Sequence, residues 1–201
     1  MVYLLDDEPE MRKALTRLLR AQGLTVRSFA SARELFAQAP PSGPACLVLD
    51  VAMPEMDGLQ VQERLRERGI DLPIVFLTGR GDIPMSVRAL KAGAEDFLTK
   101  PVDGADLLRA IRAALQRGAD RRAKSDDLTA LRERLALLTP REREVLGHVI
   151  AGKLNKQIAV ALGTGEQNVK VHRGRLMRKL GLKSVADLVR AAERLGLPPE
   201  G

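Results

Sequence analysis

Four short motifs carry groups able to act on a phosphate or a metal ion, and each follows an apolar run. The stretch "YLLDDEP" (3–9) ends in Asp6, Asp7 and Glu8, "LVLDVAMPEMDG" carries Asp50, "FLTG" carries Thr78, and "FLTKP" carries Lys100. Carboxylates brought together repel, and at least one pKa rises unless a cation compensates. Asp6, Asp7 and Asp50, completed by water, would suit a hard divalent ion such as Mg2+ or Mn2+. A carboxylate nucleophile beside a metal, a hydroxyl and an ammonium group can stabilise a transferring phosphoryl group. A plainer reading of the first stretch is a solvated loop that acidifies the start of a helix. Glu8 fits that role, because an acid near a helix N-terminus is favourable, and the cluster does not need it.

These groups meet only if the elements beneath them are arranged correctly. Residues 2–5, 24–29, 46–49, 73–77 and 95–99 are short, apolar and rich in Val, Ile, Phe or Tyr, which predicts strands. Helical patterns fill 8–22, 31–39, 57–68, 84–92 and 103–117; Ser31 with Glu34 forms a capping-box signature, and Leu107, Leu108, Ile111 and Leu115 share one face. Five alternating units predict an α/β fold, a doubly wound five-stranded parallel sheet covered by helices on both faces. In such a sheet the polar site lies at the C-terminal ends of the strands. If the strands at 2–5 and 46–49 are neighbours, Asp6, Asp7 and Asp50 converge, with Thr78 and Lys100 on the same edge.

The 201-residue chain allows one large domain or two small ones. Its single cysteine, Cys46, rules out an internal disulfide and fits a cytoplasmic location. No apolar run approaches the ~20 residues of a membrane span, and no export signal is expected. The net charge of +7 is uneven: residues 1–117 carry 16 basic and 16 acidic residues, whereas 118–201 carry 17 and 10. Lys153–Lys183 holds eight basic residues and one acid, Glu166. A charge run is usually a solvated face, but this split favours a neutral domain joined to one that binds a polyanion. The boundaries read as 1–118, a partly helical linker at 119–138, and an all-α four-helix domain at 139–201. In the linker, Leu128, Leu131, Leu135 and Leu138 form a stripe that fits either packing on its own domain or pairing with a second copy.

From Thr139 on, the pattern is helical. "TPRE" marks a helix start, further helices fall near 155–162, 166–180 and 184–195, "GTG" (163–165) separates two of them, and Ser184 with Asp187 offers another cap. A helix, a glycine-containing break and a second helix suggest DNA binding. On a wheel of ~100° per residue, Val169, Leu176 and Leu180 form the buried face. Gln167, Val171, Gly174 and Arg178 lie opposite, flanked by Lys170 and Arg175, on a face suited to the major groove. Arg173 falls nearer the buried side, which suits a phosphate contact, and His172 reads as a packed structural residue.

Over about 1–118, the ordered motifs "DDE", "LD…MPEMDG", "LTG" and "KP" resemble the receiver domain of bacterial response regulators. Over about 139–196, "TPRE", "NKQIA" and "VKVHRGRLMRKLG" resemble the LuxR-type helix-turn-helix; together they resemble the NarL/FixJ family. The resemblance implies a flavodoxin-like receiver with Asp50 as phosphoacceptor and magnesium held by Asp6, Asp7, Asp50 and the Ala52 carbonyl. It further implies Thr78 and Lys100 as phosphoryl contacts, Gly79 as a gap giving access, a cis Lys100–Pro101 bond and Phe97 as a switch aromatic, with core packing equally open for Phe97. By the same resemblance Lys170 and Val171 read bases, and Lys156, Gln157 and Arg173 contact the DNA backbone. Val102 replaces a usual Phe, Gly165 a usual Ser and Asn168 a usual Thr.

Aspartyl-phosphate hydrolases use a second Asp two residues after the nucleophile; here that position is Ala52, which argues against an enzyme and for a stored phosphoryl group. The implied function is transcriptional control through phosphorylation of Asp50. The implied partners are a sensor histidine kinase, double-stranded DNA with two half-sites, a second copy of the phosphorylated chain and, as an open possibility, RNA polymerase; no membrane is expected.

Overall fold

Alternation along each strand decides which helices a side chain meets. The computed structural model describes residues 1–79 and 93–198, and divides into a unit at Met1–Arg122 and a unit at Ala123–Gly201. The expected helix at 84–92 lies outside the described residues.

In the first unit, strands β1 (Val2–Leu5), β2 (Val26–Phe29), β3 (Cys46–Asp50), β4 (Ile74–Thr78) and β5 (Asp96–Thr99) form one parallel sheet in the order β2-β1-β3-β4-β5. Three helices follow in chain order: α1 (Pro9–Ala21), α2 (Ala32–Phe36) and α3 (Gly58–Glu67). A fourth, α4, spans Gly104–Ala136. Tyr3, Leu5, Leu47, Leu49, Ile74 and Phe76 pack with Leu35, Val61 and Leu65 on one sheet face. The alternate residues Val2, Leu4, Cys46, Val48, Val75 and Leu77 pack with Leu15, Leu19, Leu107 and Ile111 on the other. The fold is therefore the expected doubly wound sheet with helices on both faces. Cys46 is fully buried within the sheet, and burial pushes its thiol pKa up to about 12.

The departures are local. β2 begins at Val26 rather than residue 24, with Arg27 and Ser28 exposed on the sheet's edge strand. The second helix stops at Phe36, and its expected capping box is half formed. Ser31 accepts from the Glu34 N–H at 3.3 Å, but the Glu34 carboxylate accepts from Ala30 instead. α4 is the largest departure, because it runs on past 117 to Ala136. Within it Gly118 is a close approach: an added Cβ would lie 3.0 Å from the Ala45 carbonyl and 3.3 Å from Pro73 Cγ. Arg121 then pairs with Asp71 at 3.0 Å and with Glu95 at 2.7 Å, and Arg117 also pairs with Glu95.

In the second unit the end of α4 supplies Leu135, and Leu138 follows it into a core with Val145, Leu146, Ile158, Val169, Leu176 and Leu188. Packing on its own unit thus accounts for that part of the leucine stripe. The four remaining helices are α5 (Pro140–Ile150), α6 (Asn155–Ala161), α7 (Glu166–Leu180) and α8 (Val185–Leu195). Both expected caps form as full boxes, Thr139 with Glu142 and Ser184 with Asp187. Glu142 is buried, and its carboxylate also accepts from Lys179 Nζ at 2.7 Å. The Lys179 hydrogen bond, then the Thr139 N–H, hold Glu142 below its ordinary pKa.

Candidate functional site

Register builds the carboxylate cluster. β1 pairs with β3 so that Leu5 lies beside Leu49, and the next residues, Asp6 and Asp50, emerge level at the same edge. Thr78 ends β4 and Lys100 follows β5, one position past the Thr78–Thr99 pair. Asp6, Asp50 and Thr78 are 0%, 3% and 3% exposed. Ligand oxygens of Asp6, Asp7 and Asp50 lie within 4.8 Å of one another.

The two buried aspartates are built alike. Asp6 Oδ1 accepts from the Glu8 N–H at 2.8 Å, and Asp50 Oδ1 accepts from the Ala52 N–H at 3.1 Å. Each such bond bends the chain away from its strand and fixes one carboxylate oxygen. The other oxygens share Lys100, whose Nζ is 2.7 Å from Asp50 Oδ2 and 3.0 Å from Asp6 Oδ2. Burial works to lower the Lys100 pKa, but its hydrogen bonds to Asp50 and Asp6 and their charges outweigh it, so the ammonium form is held above its ordinary range. Glu8 supplies the helix N-cap position without a side-chain cap bond; its carboxylate instead lies 3.7 Å from Lys100 Nζ, a contact the sequence reading did not anticipate.

The surroundings limit what can approach. Gly79 is exposed, and an added Cβ would meet nothing within 4 Å among the described residues. Gly58 has no such freedom, since a Cβ would lie 2.7 Å from the Asp50 carbonyl oxygen. Three residues before Gly58, Glu55 adopts φ 67°, with the Met56 N–H donating to the Pro54 carbonyl at 2.8 Å. Such a turn is rare outside glycine. Lys100–Pro101 is cis. Phe97 is half-buried and packs obliquely on Phe76, with 6.1 Å between ring centres. Val102 packs against the core that contains Leu107 and Ile111. The donor set at this edge is all hard oxygen, with three carboxylates in reach of one centre, and it fits a small divalent cation such as Mg2+.

The second candidate site lies on α7. Val169, Leu176 and Leu180 are buried, and Gln167, Lys170, Val171, Gly174, Arg175 and Arg178 are exposed, as the wheel predicts. Gly165 takes the N-cap position with no side-chain bond, and Asn168 Nδ2 donates to Thr164 Oγ1 at 3.1 Å. Arg173 is half-buried and donates to Asn155 Oδ1 at 2.7 Å. Lys156 is exposed, while the Gln157 side-chain oxygen accepts from the Leu154 N–H at 2.8 Å and so belongs to the start of α6. His172 is half-buried, and its Nδ1 makes no hydrogen bond among the described residues. Asn155 and Arg12 escaped sequence reading, because each works through a hydrogen bond between elements that no local pattern signals.

Fold and site together define a class: a receiver-type parallel sheet with an acidic edge, in one chain with a basic helix-turn-helix bundle. Comparison with known proteins gives the same division. Residues 2–112 match the response regulator receiver domain, and residues 136–192 match the bacterial regulatory proteins of the luxR family. The chain is 47% identical to the response regulator protein TodT of Pseudomonas putida, over 97% of this chain and 86% of that one. It is 39% identical to the transcriptional regulatory protein FixJ of Rhizobium meliloti, over 98% and 97%. The solved structure of the response regulator StyR superposes with a TM-score of 0.83 at 44% identity, covering 96% of this chain and 98% of that one. The chain belongs to the NarL/FixJ family of two-component response regulators, transcriptional regulators with a receiver domain and a LuxR-type DNA-binding domain.

Proposed function

We propose that a sensor histidine kinase phosphorylates Asp50, and that this step controls homodimerisation and sequence-specific binding to double-stranded DNA. The observation that supports this most is the convergence of Asp6, Asp7, Asp50 and Lys100 at one sheet edge in a chain that also carries the basic α7 face. Residues 1–118 act as receiver, 119–138 as linker and 139–201 as DNA-binding domain, in the cytoplasm.

Asp6, Asp7, Asp50 and the Ala52 carbonyl would hold Mg2+ or Mn2+, which would neutralise charge on the incoming phosphoryl oxygens. An Asp50 carboxylate oxygen attacks phosphorus; the O–P bond forms as the P–N bond to the kinase histidine breaks, and the leaving imidazole takes a proton. Lys100, already donating to Asp50, turns its ammonium to a phosphoryl oxygen, and Thr78 offers its hydroxyl to another. Gly79 leaves the approach open. Phe97, only half-buried, changes its packing with the state of Asp50. Ala52 offers no carboxyl group to activate water, so the acyl phosphate is stored and decays slowly, and the chain is not a turnover enzyme.

The output is carried by α7. Gln167, Lys170, Val171, Gly174, Arg175 and Arg178 face the major groove, with Lys170 and Val171 as base readers. Lys156, Arg173 and the Gln157 amide contact the phosphate backbone. Two copies read half-sites about one DNA turn apart, and RNA polymerase is a further partner where the outcome is activation. Selection of DNA sequences by the full chain, with and without a small phosphodonor and Mg2+, combined with mass in solution, tests the whole proposal. Enrichment of a paired site and doubling of mass are expected only with the donor. Identical sequences and identical mass in both arms would overturn it.

A further inference from the structure

Arg12, in the first turn of α1, reaches back past the helix start. Its Nη1 donates to the Asp6 carbonyl at 2.7 Å and to the Asp7 carbonyl at 3.1 Å. One nitrogen with two N–H bonds thus ties the peptide groups of both aspartates to one charged, planar group, and bonds from a charged donor are stronger than neutral ones. The Asp6 carboxylate is held again by the Glu8 N–H and Lys100. Among the described residues no side-chain hydrogen bond holds the Asp7 carboxylate, so its backbone is what sets its direction.

We propose that Arg12 is a positioning residue for the cation site: it fixes the β1–α1 turn so that the Asp6 and Asp7 carboxylates point at one centre. This rests on the reading of Asp6, Asp7 and Asp50 as cation ligands. Charge and positioning predict opposite signs. A guanidinium beside a cation site repels the ion, so by charge alone its removal tightens binding. Loss of positioning loosens binding, and supporting residues around metal ligands typically carry about 10- to 100-fold in affinity.

The experiment is Mg2+ titration of the full chain by calorimetry, without phosphodonor, for wild type, Arg12→Met, Arg12→Lys and Asp7→Asn. Arg12→Met is expected to weaken Mg2+ binding by roughly tenfold. Arg12→Lys keeps the charge and the donors and is expected to restore most of that loss. Where circular dichroism shows Arg12→Met to be unfolded, Arg12→Gln replaces it with the same expectation. Unchanged or tighter binding in the neutral variant overturns the proposal. If wild type binds no Mg2+, or Asp7→Asn binds as wild type does, the ligand reading itself fails and the proposal falls with it.

Discussion

The acidic edge and the basic helix solve opposite problems. At the edge, groups from four strand ends, 94 residues apart at the extremes, meet in a buried cluster where like charges must be balanced. On α7, the groups lie within one fifteen-residue helix, and all but the half-buried Arg173 are exposed. A buried, mutually dependent site concentrates its function in single atoms, whereas an exposed face spreads it over many small terms. Substitutions should therefore act nearly all-or-none at the edge and by increments on the helix.

The largest effect tests the first half of that contrast. Asp50→Asn is expected to cut labelling by a phosphodonor more than about a hundredfold, because it removes the carboxylate proposed to form the acyl phosphate and leaves Asp6 and Asp7 in their ligand role. Retained labelling, measured by mass spectrometry, would mean the edge is less singular than its geometry implies. The same variant should keep the DNA affinity of the unphosphorylated wild type.

A middle-sized effect probes the ion pair between the half-buried Lys179 of the basic helix and the buried Glu142. Lys179→Met strands the Glu142 carboxylate and is expected to cost about 2 kcal/mol of stability in the second unit. The sign of its pH dependence follows from the depressed Glu142 pKa. The contribution is full above the ordinary value of 4.5 and is lost as pH falls through the lower folded-state value. Wild type should therefore lose stability to denaturant on acidification below that value, while Lys179→Met should show a flatter profile there. Parallel profiles would show that the pair contributes nothing to acid sensitivity.

The smallest effects lie on the exposed face. Arg178→Ala should weaken binding to all DNA sequences alike, by several-fold, and reduce the salt slope by about one. Val171→Ala should instead alter sequence preference by about 1 kcal/mol with an unchanged slope. If either variant alone abolishes binding, the helix behaves like the edge and the contrast fails.

The same contrast explains what could be read from sequence. The strands, their order of motifs and the candidate ligands were legible because each strand end carries its own group, and a parallel sheet gathers strand ends on one edge. The α7 face was legible because a helix has a fixed period. The full continuation of α4 was not, since the polar, charged start of the 119–138 linker carries no apolar stripe before Leu128. Glu8 was assigned wholly to the helix start, although its carboxylate also approaches Lys100. Arg12, Asn155 and the cap role of Gln157 were missed because hydrogen bonds to a carbonyl, an amide or a neighbouring N–H leave no periodic trace.

Cys46 gives the sheet a built-in clock. It begins the strand that ends in Asp50, its thiol is inaccessible, and a pKa near 12 leaves almost none of it as thiolate. A thiol reagent can modify it only when β3 or the helices packed over it open. The labelling rate of the native chain therefore counts openings around the strand beneath the acidic edge, residue-specifically and without an introduced cysteine. Compared with and without Mg2+, that rate would report how far the charge at the edge governs the lifetime of the sheet that carries it.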